Sequence, residues 1–477
     1  MKQLTLRVPM SVIPTKNISF PIGTALAVQK YSQQLEFEAI FSKFKAKGIP
    51  LAHLVEALLT YRLTENGSTS KASDWINRSE VLKVFHLHEF DERTLFRVLE
   101  TVGANYEEII LLLQDRIFEL YNFLHTNTNL DWTSFILWGT SAEMGEYGYS
   151  RDHRPDKKQI TVGLAELANP INIPIGLTIQ PGNENDQTHF SRTFNQIKDR
   201  LKPESRICFD KGGQSKNNLG LVLASKMKYL SAKKLNTSDD KRIKSFSRRT
   251  WELVDPDNGI YGTKIVYPSR IDYFFFSEKR KIEQVEAKLR KAEQMLQEAK
   301  EIQASLDFHR KLPKRFRINN PLVEVSYTYQ TKLKTISEAD ALKVVQMASL
   351  NGREGFFCLV SSENLTLLDA LKIYRMKDSI EKIFQSLKND INIKPLRVWS
   401  TNSLCGAILI GFLAQLVISL LRYDHQELKH ISPKSIKISL MNLTVTTEFY
   451  SKREARQIYS NFEPINTLIC AQNRAIT

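Results

Sequence analysis

The sequence is short of cysteine, and the few cysteines that it has lie far apart. Its 477 residues contain four, and no two of them form a C-x-x-C pair. This distribution indicates neither a zinc site nor a disulfide framework, and it fits a reducing compartment. The first residues, MKQLTLRVPMSVIPTK, also lack the sustained apolar run of a signal peptide. We therefore expect a cytoplasmic protein.

Acidic residues are outnumbered by basic ones. The chain has 67 lysines and arginines against 52 aspartates and glutamates, a formal net charge of +15. Such an excess of positive charge favours a polyanionic partner. Nucleic acid is the first expectation, and an anionic membrane surface is its rival.

Long apolar runs are scarce as well. One stretch, residues 403–421, is nearly long enough to span a bilayer. It contains Gln415 and closely follows a segment rich in charged residues. A buried core helix therefore fits this stretch better than a membrane span, and a membrane-attached protein is the alternative.

That charged segment, residues 373–388, reads IYRMKDSIEKIFQSLK. If it is a helix, Tyr374, Lys377, Glu381 and Lys388 project from one narrow strip, beside an apolar strip that can pack on a core. A glutamate flanked by cations suits a metal-assisted phosphodiester site, in which the acid holds the ion and the lysines hold phosphates. The alternative is a surface helix with ion pairs between successive turns.

The spacing of these four residues resembles the Tyr-(2)-Arg-(3)-Glu-(6)-Lys signature of insertion-sequence transposases of the DDE type. Lys377 stands where the family usually has arginine. Lysine keeps the charge but loses the planar, two-pronged grip on phosphate.

Strand-like segments lie upstream, at residues 131–138, 158–167 and 173–180, followed by a helical pattern at 190–201 and a short strand at 206–209. This order predicts an α/β fold and is that of a ribonuclease-H-like mixed sheet with flanking helices, although many α/β domains share it. Asp131 heads the first strand and Asp210 ends the fourth. In a ribonuclease-H-like sheet these two positions come together, and Glu381 would complete a three-carboxylate cluster. The alternative is a strand-start acid and a turn acid.

The neighbouring segments GYSRDHRPDKKQ, PGNENDQTHF and FDKGGQSKNNL are also similar to the family's, so that the resemblance covers about residues 130–235 and 355–420. The strand pattern stops after Ala232 and resumes at Phe356. Hairpin-forming members of the family carry a mostly β insertion at this place, and we expect a separate β-containing lobe that interrupts one core sheet.

The expected organisation therefore has five parts. They are an all-α N-terminal region for DNA-end binding or dimerisation (1–125), the first part of the catalytic core (126–235), an insertion domain (236–355), the second part of the core with the catalytic helix (356–425), and a basic C-terminal region whose role the sequence does not indicate (426–477). Helix-turn-helix DNA recognition and a plain helical bundle are both open for the first part.

The resemblance implies a chemistry and a set of site residues. Asp131, Asp210 and Glu381 would be both catalytic and metal-binding, with Mg²⁺ as the metal and Mn²⁺ as its substitute. Tyr374, Lys377 and Lys388 would hold DNA phosphates. In the connection after the first strand, Arg151, His153 and Arg154 are further DNA-binding candidates, unless they form a solvated basic turn. Asp152, Asp156 and Asp186 are expected to lie in nearby loops outside the cluster.

The expected reaction is nicking at the ends of the chain's own insertion sequence, followed by transfer of the 3′ ends into target DNA. A homodimer bound to the terminal inverted repeats, close to the nucleoid, would carry it out. A metal-dependent nuclease without strand transfer and an inactive, transposase-derived DNA-binding protein are the rival interpretations.

Overall fold

The computed structural model describes residues 16–123, 125–138, 142–169, 172–307, 321–325, 331–333, 337–391, 393, 400–450 and 453–470. The chain divides into two compact units. The first comprises Met1–Lys228 together with Arg375–Thr477, and the second comprises Tyr229–Tyr374.

The first unit begins with a strand and a series of helices. After β1 (Lys16–Pro21) come α1 (Gly23–Gln34), α2 (Phe37–Phe41), α3 (Leu51–Leu63), α4 (Thr69–Ile76), α5 (Ser79–Val84), α6 (Arg93–Ala104) and α7 (Tyr106–Tyr121). The sequence had suggested a purely helical N-terminal region, but the structure adds the strand β1. This strand was missed because it is completed only by residues from the other end of the chain.

A mixed sheet follows in the same unit. It contains β2 (Asn127–Ile136), β3 (Gln159–Asn169), β4 (Ile173–Pro181) and β5 (Arg206–Phe209), with α8 (Asp186–Ile197) before β5 and α9 (Lys216–Ala224) after it. The order in this unit is β4-β3-β2-β5, with antiparallel pairs except for the parallel pair β2–β5. Nine of the ten residues of β2 are buried, because both faces of this strand are covered.

The second unit has a sheet and a long helix. Its elements are β6 (Lys228–Lys233, beginning at the unit boundary), α10 (Asp240–Lys244), β7 (Glu252–Asp255), β8 (Ile260–Val266), β9 (Ile271–Ser277), α11 (Glu278–Asp307), β10 (Val323–Val325), β11 (Thr331–Leu333), α12 (Glu338–Ser349), β12 (Phe356–Ser361) and α13 (Leu367–Arg375). Strand β12 pairs with both β6 and β9. Within this unit, the strands β7–β9 of the expected insertion join the sheet through the pairing of β9 with β12.

The chain then returns to the first unit. It adds α14 (Asp378–Gln385), α15 (Thr401–Asp424), α16 (Pro433–Asn442), β13 (Thr444–Tyr450), β14 (Arg453–Ser460) and α17 (Pro464–Cys470). Strand β13 lies between β1 and β14 and pairs antiparallel with both. Strands far apart in the sequence therefore form one three-stranded sheet.

Helix α15 is the apolar stretch that raised the question of a membrane. Among the described residues it is the one helix long and apolar enough to cross a bilayer. All of its residues from Ser403 to Leu421 are buried within the protein. A helix that is apolar on every side and covered on every side is a core helix, as expected from the sequence.

Candidate active site

One face of β2 carries a row of polar side chains. Asn129, Asp131 and Thr133 are all buried and, two residues apart, share that face. Trp132 lies on the opposite face and donates from Nε1 to Thr193 Oγ1 of α8 at 3.1 Å. The sequence had indicated that Asp131 is the first residue of the strand, but it is the fifth. The reason is that Asn127–Leu130, which precede the predicted strand, pair with β3 and β5.

Asp210 lies beside Asp131. The parallel register pairs Leu130 of β2 with Phe209 of β5, so the next residues of the two strands are Asp131 and Asp210. Asp210 follows directly after the end of β5, as predicted, and its Oδ1 accepts from the backbone N–H of Gly212 at 2.8 Å. Neighbouring strands are about 4.8 Å apart, which places these two carboxylates in one site.

Residues 373–388 do not form a single helix. Helix α13 ends at Arg375, α14 begins at Asp378, and a π-helical turn (Ser386–Asp390) follows α14. The break is fixed by the carbonyl oxygen of Met376, which accepts from Asn129 Nδ2 at 3.2 Å and from Ser379 Oγ at 2.7 Å. Side chains that bond to a backbone carbonyl in this way compete with helix continuation.

Lys377 lies at this break, and its ammonium group faces the acids. Its Nζ is 3.0 Å from Asp131 Oδ2 and 3.8 Å from Glu381 Oε1, and its side chain is 6% exposed. Burial alone would lower the pKa of Lys377, but the charges of Asp131, Asp210 and Glu381 outweigh burial and raise it. The three predicted acids therefore converge on one lysine.

The other predicted DNA contacts have varied surroundings. Lys388, in the π-helical turn, donates from Nζ to Thr133 Oγ1 at 2.9 Å and to Asp152 Oδ1 at 3.0 Å. Thr133 follows Asp131 by two residues, so Lys388 lies on the face of β2 that carries this acid. Tyr374 belongs to α13 and thus to the second unit.

The connection between β2 and β3 carries the remaining three predicted DNA-binding residues. Arg154 forms a two-pronged pair with Asp156, with both distances 2.8 Å. His153 is exposed and has a φ of 55°. Arg151 is half-buried and binds Asp186, with 2.7 Å between Nη2 and Oδ2.

Asp186 is a residue of this region that the sequence did not assign to the site. It is the first residue of α8, which Asn185 caps. Burial and the charges of Asp210 and Asp131 raise its pKa against the opposing effect of Arg151. Asp186 is therefore an electrostatic neighbour of the cluster, and Asp152 binds Lys388. Neither residue is suitable as a control outside the cluster. Asp156 remains suitable.

Glu166 is a second residue that sequence reasoning missed. It lies on β3 opposite Asn129 and is fully buried. Its Oε2 accepts from Ser379 Oγ at 2.7 Å and from Asn129 Nδ2 at 3.1 Å, which ties the start of α14 to the sheet. Burial raises the pKa of Glu166 to about 7. A polar residue inside an otherwise apolar strand was the available signal.

The described part of the chain contains no group of three or more His, Cys, Asp or Glu residues that is close enough to hold a metal ion. The donor types nevertheless fit a hard cation, since carboxylate oxygens are the ligands that Mg²⁺ and Mn²⁺ prefer. What lies among the carboxylates is the ammonium group of Lys377.

The comparisons with known proteins identify the family. Residues 128–417, well over half of the chain, match the family described as the transposase DDE domain, and the chain belongs to that family. It is therefore a transposase, an enzyme of the kind that breaks and joins phosphodiester bonds, and its partner is DNA. Members of the family generally use divalent metal ions.

Among solved structures, the chain is similar to one described as the cryo-EM structure of a piggyBac transposase synaptic complex with hairpin DNA. The TM-score is 0.42 and the sequence identity 11%, with 90% of this chain and 81% of that chain covered. No curated protein sequence matches the chain.

Proposed function

We propose that Asp131, Asp210 and Glu381 are the acidic triad of a DDE transposase that cuts DNA at the ends of its own insertion sequence and joins the 3′ ends to target DNA. The observation that carries this proposal is the contact of the Lys377 ammonium group with Asp131 and Glu381, together with the strand register that sets Asp210 beside Asp131. A ribonuclease-H-like arrangement of the catalytic core is part of the proposal. It is supported by three antiparallel strands followed by a helix and a strand parallel to the first.

The three carboxylates would hold Mg²⁺, with Mn²⁺ as a substitute. When bound, such ions activate the attacking oxygen and stabilise the leaving oxygen of a phosphodiester. A divalent cation and the Lys377 ammonium group compete for the same carboxylates, because both are attracted by their negative charge. Lys377 would thus keep the acids together without metal and be released toward a DNA phosphate when metal binds.

The other cations would position DNA beside the scissile bond. Lys388 is on the Asp131 face of the sheet, and we assign it, with Tyr374, to phosphate contacts as in the family's Tyr-Arg-Glu-Lys signature. Arg151, His153 and Arg154 would contact DNA from the connection between β2 and β3. A homodimer holding two element ends in the cytoplasm, beside the nucleoid, completes the proposal.

One observation favours a second candidate. A buried lysine among the acids, with no metal-binding group of three in the described residues, also suits an inactive, transposase-derived DNA-binding protein. In that protein Lys377 would neutralise the acids permanently. The two candidates differ in whether a divalent metal ion displaces the lysine and permits cleavage.

A nicking assay on a labelled element end distinguishes them. We expect Asp131→Asn, Asp210→Asn and Glu381→Gln each to lower Mg²⁺-dependent cleavage by at least about a hundredfold. Each swap keeps the shape of the side chain and removes one charge, so gel-shift binding to the same end should be retained.

Asp156→Asn is the control, because Asp156 is exposed and pairs only with Arg154 among the contacts recorded for it. It should cleave like the parent. Robust cleavage by any variant of the triad would contradict the assignment. Metal-independent DNA binding without cleavage by the parent protein would favour the inactive candidate.

A further inference from the structure

A cavity of about 740 Å³ lies in the first unit, outside the acidic site. Its walls come from α14, the π-helical turn, the C-terminal half of α15 and the segment that leads into α16. The volume is in the range of sites that hold a small molecule or cofactor. None of Asp131, Asp210 and Glu381 lines it.

The charged lining of this cavity is mainly basic. Its cations and anions are Arg375, Lys382, Arg422, Lys429, Asp378 and Asp390. Lys382 and Asp378 pair with each other at 2.6 Å and so offset one another. The surplus of positive charge favours an anionic ligand.

Arg422 is the most informative residue of the lining. It is half-buried at the end of α15, and its Nε is buried without a hydrogen-bond partner. Its Nη2 donates to the carbonyl oxygen of Lys429, which is an uncharged acceptor. Burial lowers the pKa of Arg422, and no carboxylate of the described residues offsets this effect. A guanidinium with a free donor and no counter-charge beside a cavity is suited to bind phosphate.

Two buried polar side chains in the wall each have an oxygen atom without a hydrogen-bond partner. Gln415 and Ser386 are each 3% exposed, and Gln415 Oε1 and Ser386 Oγ have no hydrogen-bond partner in the described structure. The other end of the Gln415 amide is satisfied, because Nε2 donates to Ser419 Oγ at 3.2 Å. An orphan buried acceptor is costly unless a ligand supplies a donor.

We propose that this cavity binds one nucleotide unit, with its phosphate on Arg422 and an N–H or O–H donor of its base or sugar on Gln415 Oε1. Inorganic phosphate satisfies the first requirement alone, whereas a nucleotide satisfies both. Because the chain is a transposase, a DNA strand is the source to which we commit. The inference goes beyond the proposed function, since it involves neither the acids nor a metal.

The test uses the full chain in EDTA and measures binding by equilibrium dialysis. The probes are the four deoxynucleoside monophosphates, a deoxynucleoside, inorganic phosphate and a short single-stranded oligonucleotide. We expect the monophosphates and the oligonucleotide to bind, inorganic phosphate to bind more weakly, and the deoxynucleoside to bind least. Arg422→Gln should weaken monophosphate binding at least about tenfold, because it removes a charge-assisted hydrogen bond.

Gln415→Leu separates a binding role from a structural one. It should raise the thermal midpoint of the free protein, because an unpaired buried oxygen is removed, and yet weaken monophosphate binding several-fold. Arg200→Gln is the matched control at another half-buried arginine, which pairs with Asp115, and it should bind like the parent.

Three results would overturn the inference. They are no binding of any phosphate probe, unchanged monophosphate affinity in Arg422→Gln, or inorganic phosphate binding as tightly as the monophosphates. EDTA keeps this test independent of the metal-dependent cleavage assay, so either proposal can fail without the other.

Discussion

Lys377 is a cation enclosed by carboxylates, and its removal tests what holds the acids together. Lys377→Met leaves Asp131, which is mostly buried, without its 3.0 Å partner. Breaking a buried pair by removing one member costs about 3 kcal/mol, so urea unfolding in EDTA should show a loss of that order. Added Mg²⁺ or Mn²⁺ should then stabilise the variant more than the parent, because no ammonium group competes.

Lys382→Met is the matched control for that experiment. Lys382 lies five residues further on, in α14, and pairs with Asp378, but both side chains are more than half exposed. An exposed pair contributes about 1 kcal/mol or less. Equal stability of Lys377→Met and the parent in EDTA would show that Lys377 does not hold the acids.

Glu166 makes stability depend on pH. Its folded pKa of about 7 lies above the ordinary value of 4.5 because the group is buried. A raised carboxyl pKa contributes stability that is fully present below the unfolded value and is lost as pH rises through the folded value. The parent should therefore lose stability through this group between about pH 4.5 and 7.

Glu166→Gln should remove that loss. At pH 8 the variant should be more stable than the parent by up to about 3 kcal/mol, and at pH 4.5 the difference should vanish. Urea unfolding at both pH values measures it, with exposed Glu89→Gln as the control. A variant that is less stable than the parent at pH 8 would contradict this account.

At the residue scale, the sequence singled out the three acids but not the residues that surround them. Glu381 was predicted from motif spacing and Asp131 and Asp210 from their positions in the strand order, and the structure brings Lys377 close to Asp131 and Glu381. The buried position of Lys377 was not predicted, because a lysine can serve equally as an exposed phosphate contact or as a buried counter-ion. Asn129 and Thr133 gave a readable signal, since polar residues two apart in a buried strand share one face.

Helix α15 crosses α6 at two glycines. A Cβ atom on Gly103 would lie 1.7 Å from the carbonyl oxygen of Asn402, and one on Gly406 would lie 2.0 Å from that of Leu99. Backbone atoms cannot yield as side-chain ends do, so the two helices would have to separate. We expect Gly103→Ala and Gly406→Ala each to cost about 3 kcal/mol in unfolding free energy.

Gly220→Ala is the matched substitution with the opposite sign. Gly220 lies within α9 and a Cβ atom there meets nothing within 4 Å. Alanine should stabilise this helix by about 0.5–1 kcal/mol. Destabilisation by Gly220→Ala, or none by Gly406→Ala, would show that the close crossing of α6 and α15 is not what these glycines serve.

At the element scale, periodic patterns predicted the strands well, whereas features that depend on tertiary contacts were not predicted. Strands β3 and β4 lie within two residues of their predicted bounds, because apolar, β-branched runs ended in turn residues. The break between α13 and α14 was missed because no proline or glycine marks it. It depends on Asn129 and Ser379, which reach the Met376 carbonyl from the sheet and from the next turn.

The charge of the whole molecule predicts how it binds DNA. With a net charge of +15, contacts from lysine and arginine to phosphates should release counterions, so the logarithm of the affinity for element ends should fall linearly with the logarithm of salt concentration. Lys388→Ala should weaken binding modestly and flatten the slope by about one unit. Lys279→Ala, at an exposed lysine of α11, serves for comparison, and an unchanged slope in Lys388→Ala would remove Lys388 from the phosphate contacts.

The pairing of β1 with β13 has a consequence for synthesis. Thr444, the partner of Pro21, is synthesised 423 residues later. At about 5–20 residues per second, the first strand waits roughly 20 s to more than a minute for the strand that completes its sheet. A chain released before residue 444 leaves β1 without that partner. The three-stranded sheet of the first unit is thus completed only in chains that extend through β13, so the β1–β13 pairing distinguishes them from chains that stop earlier.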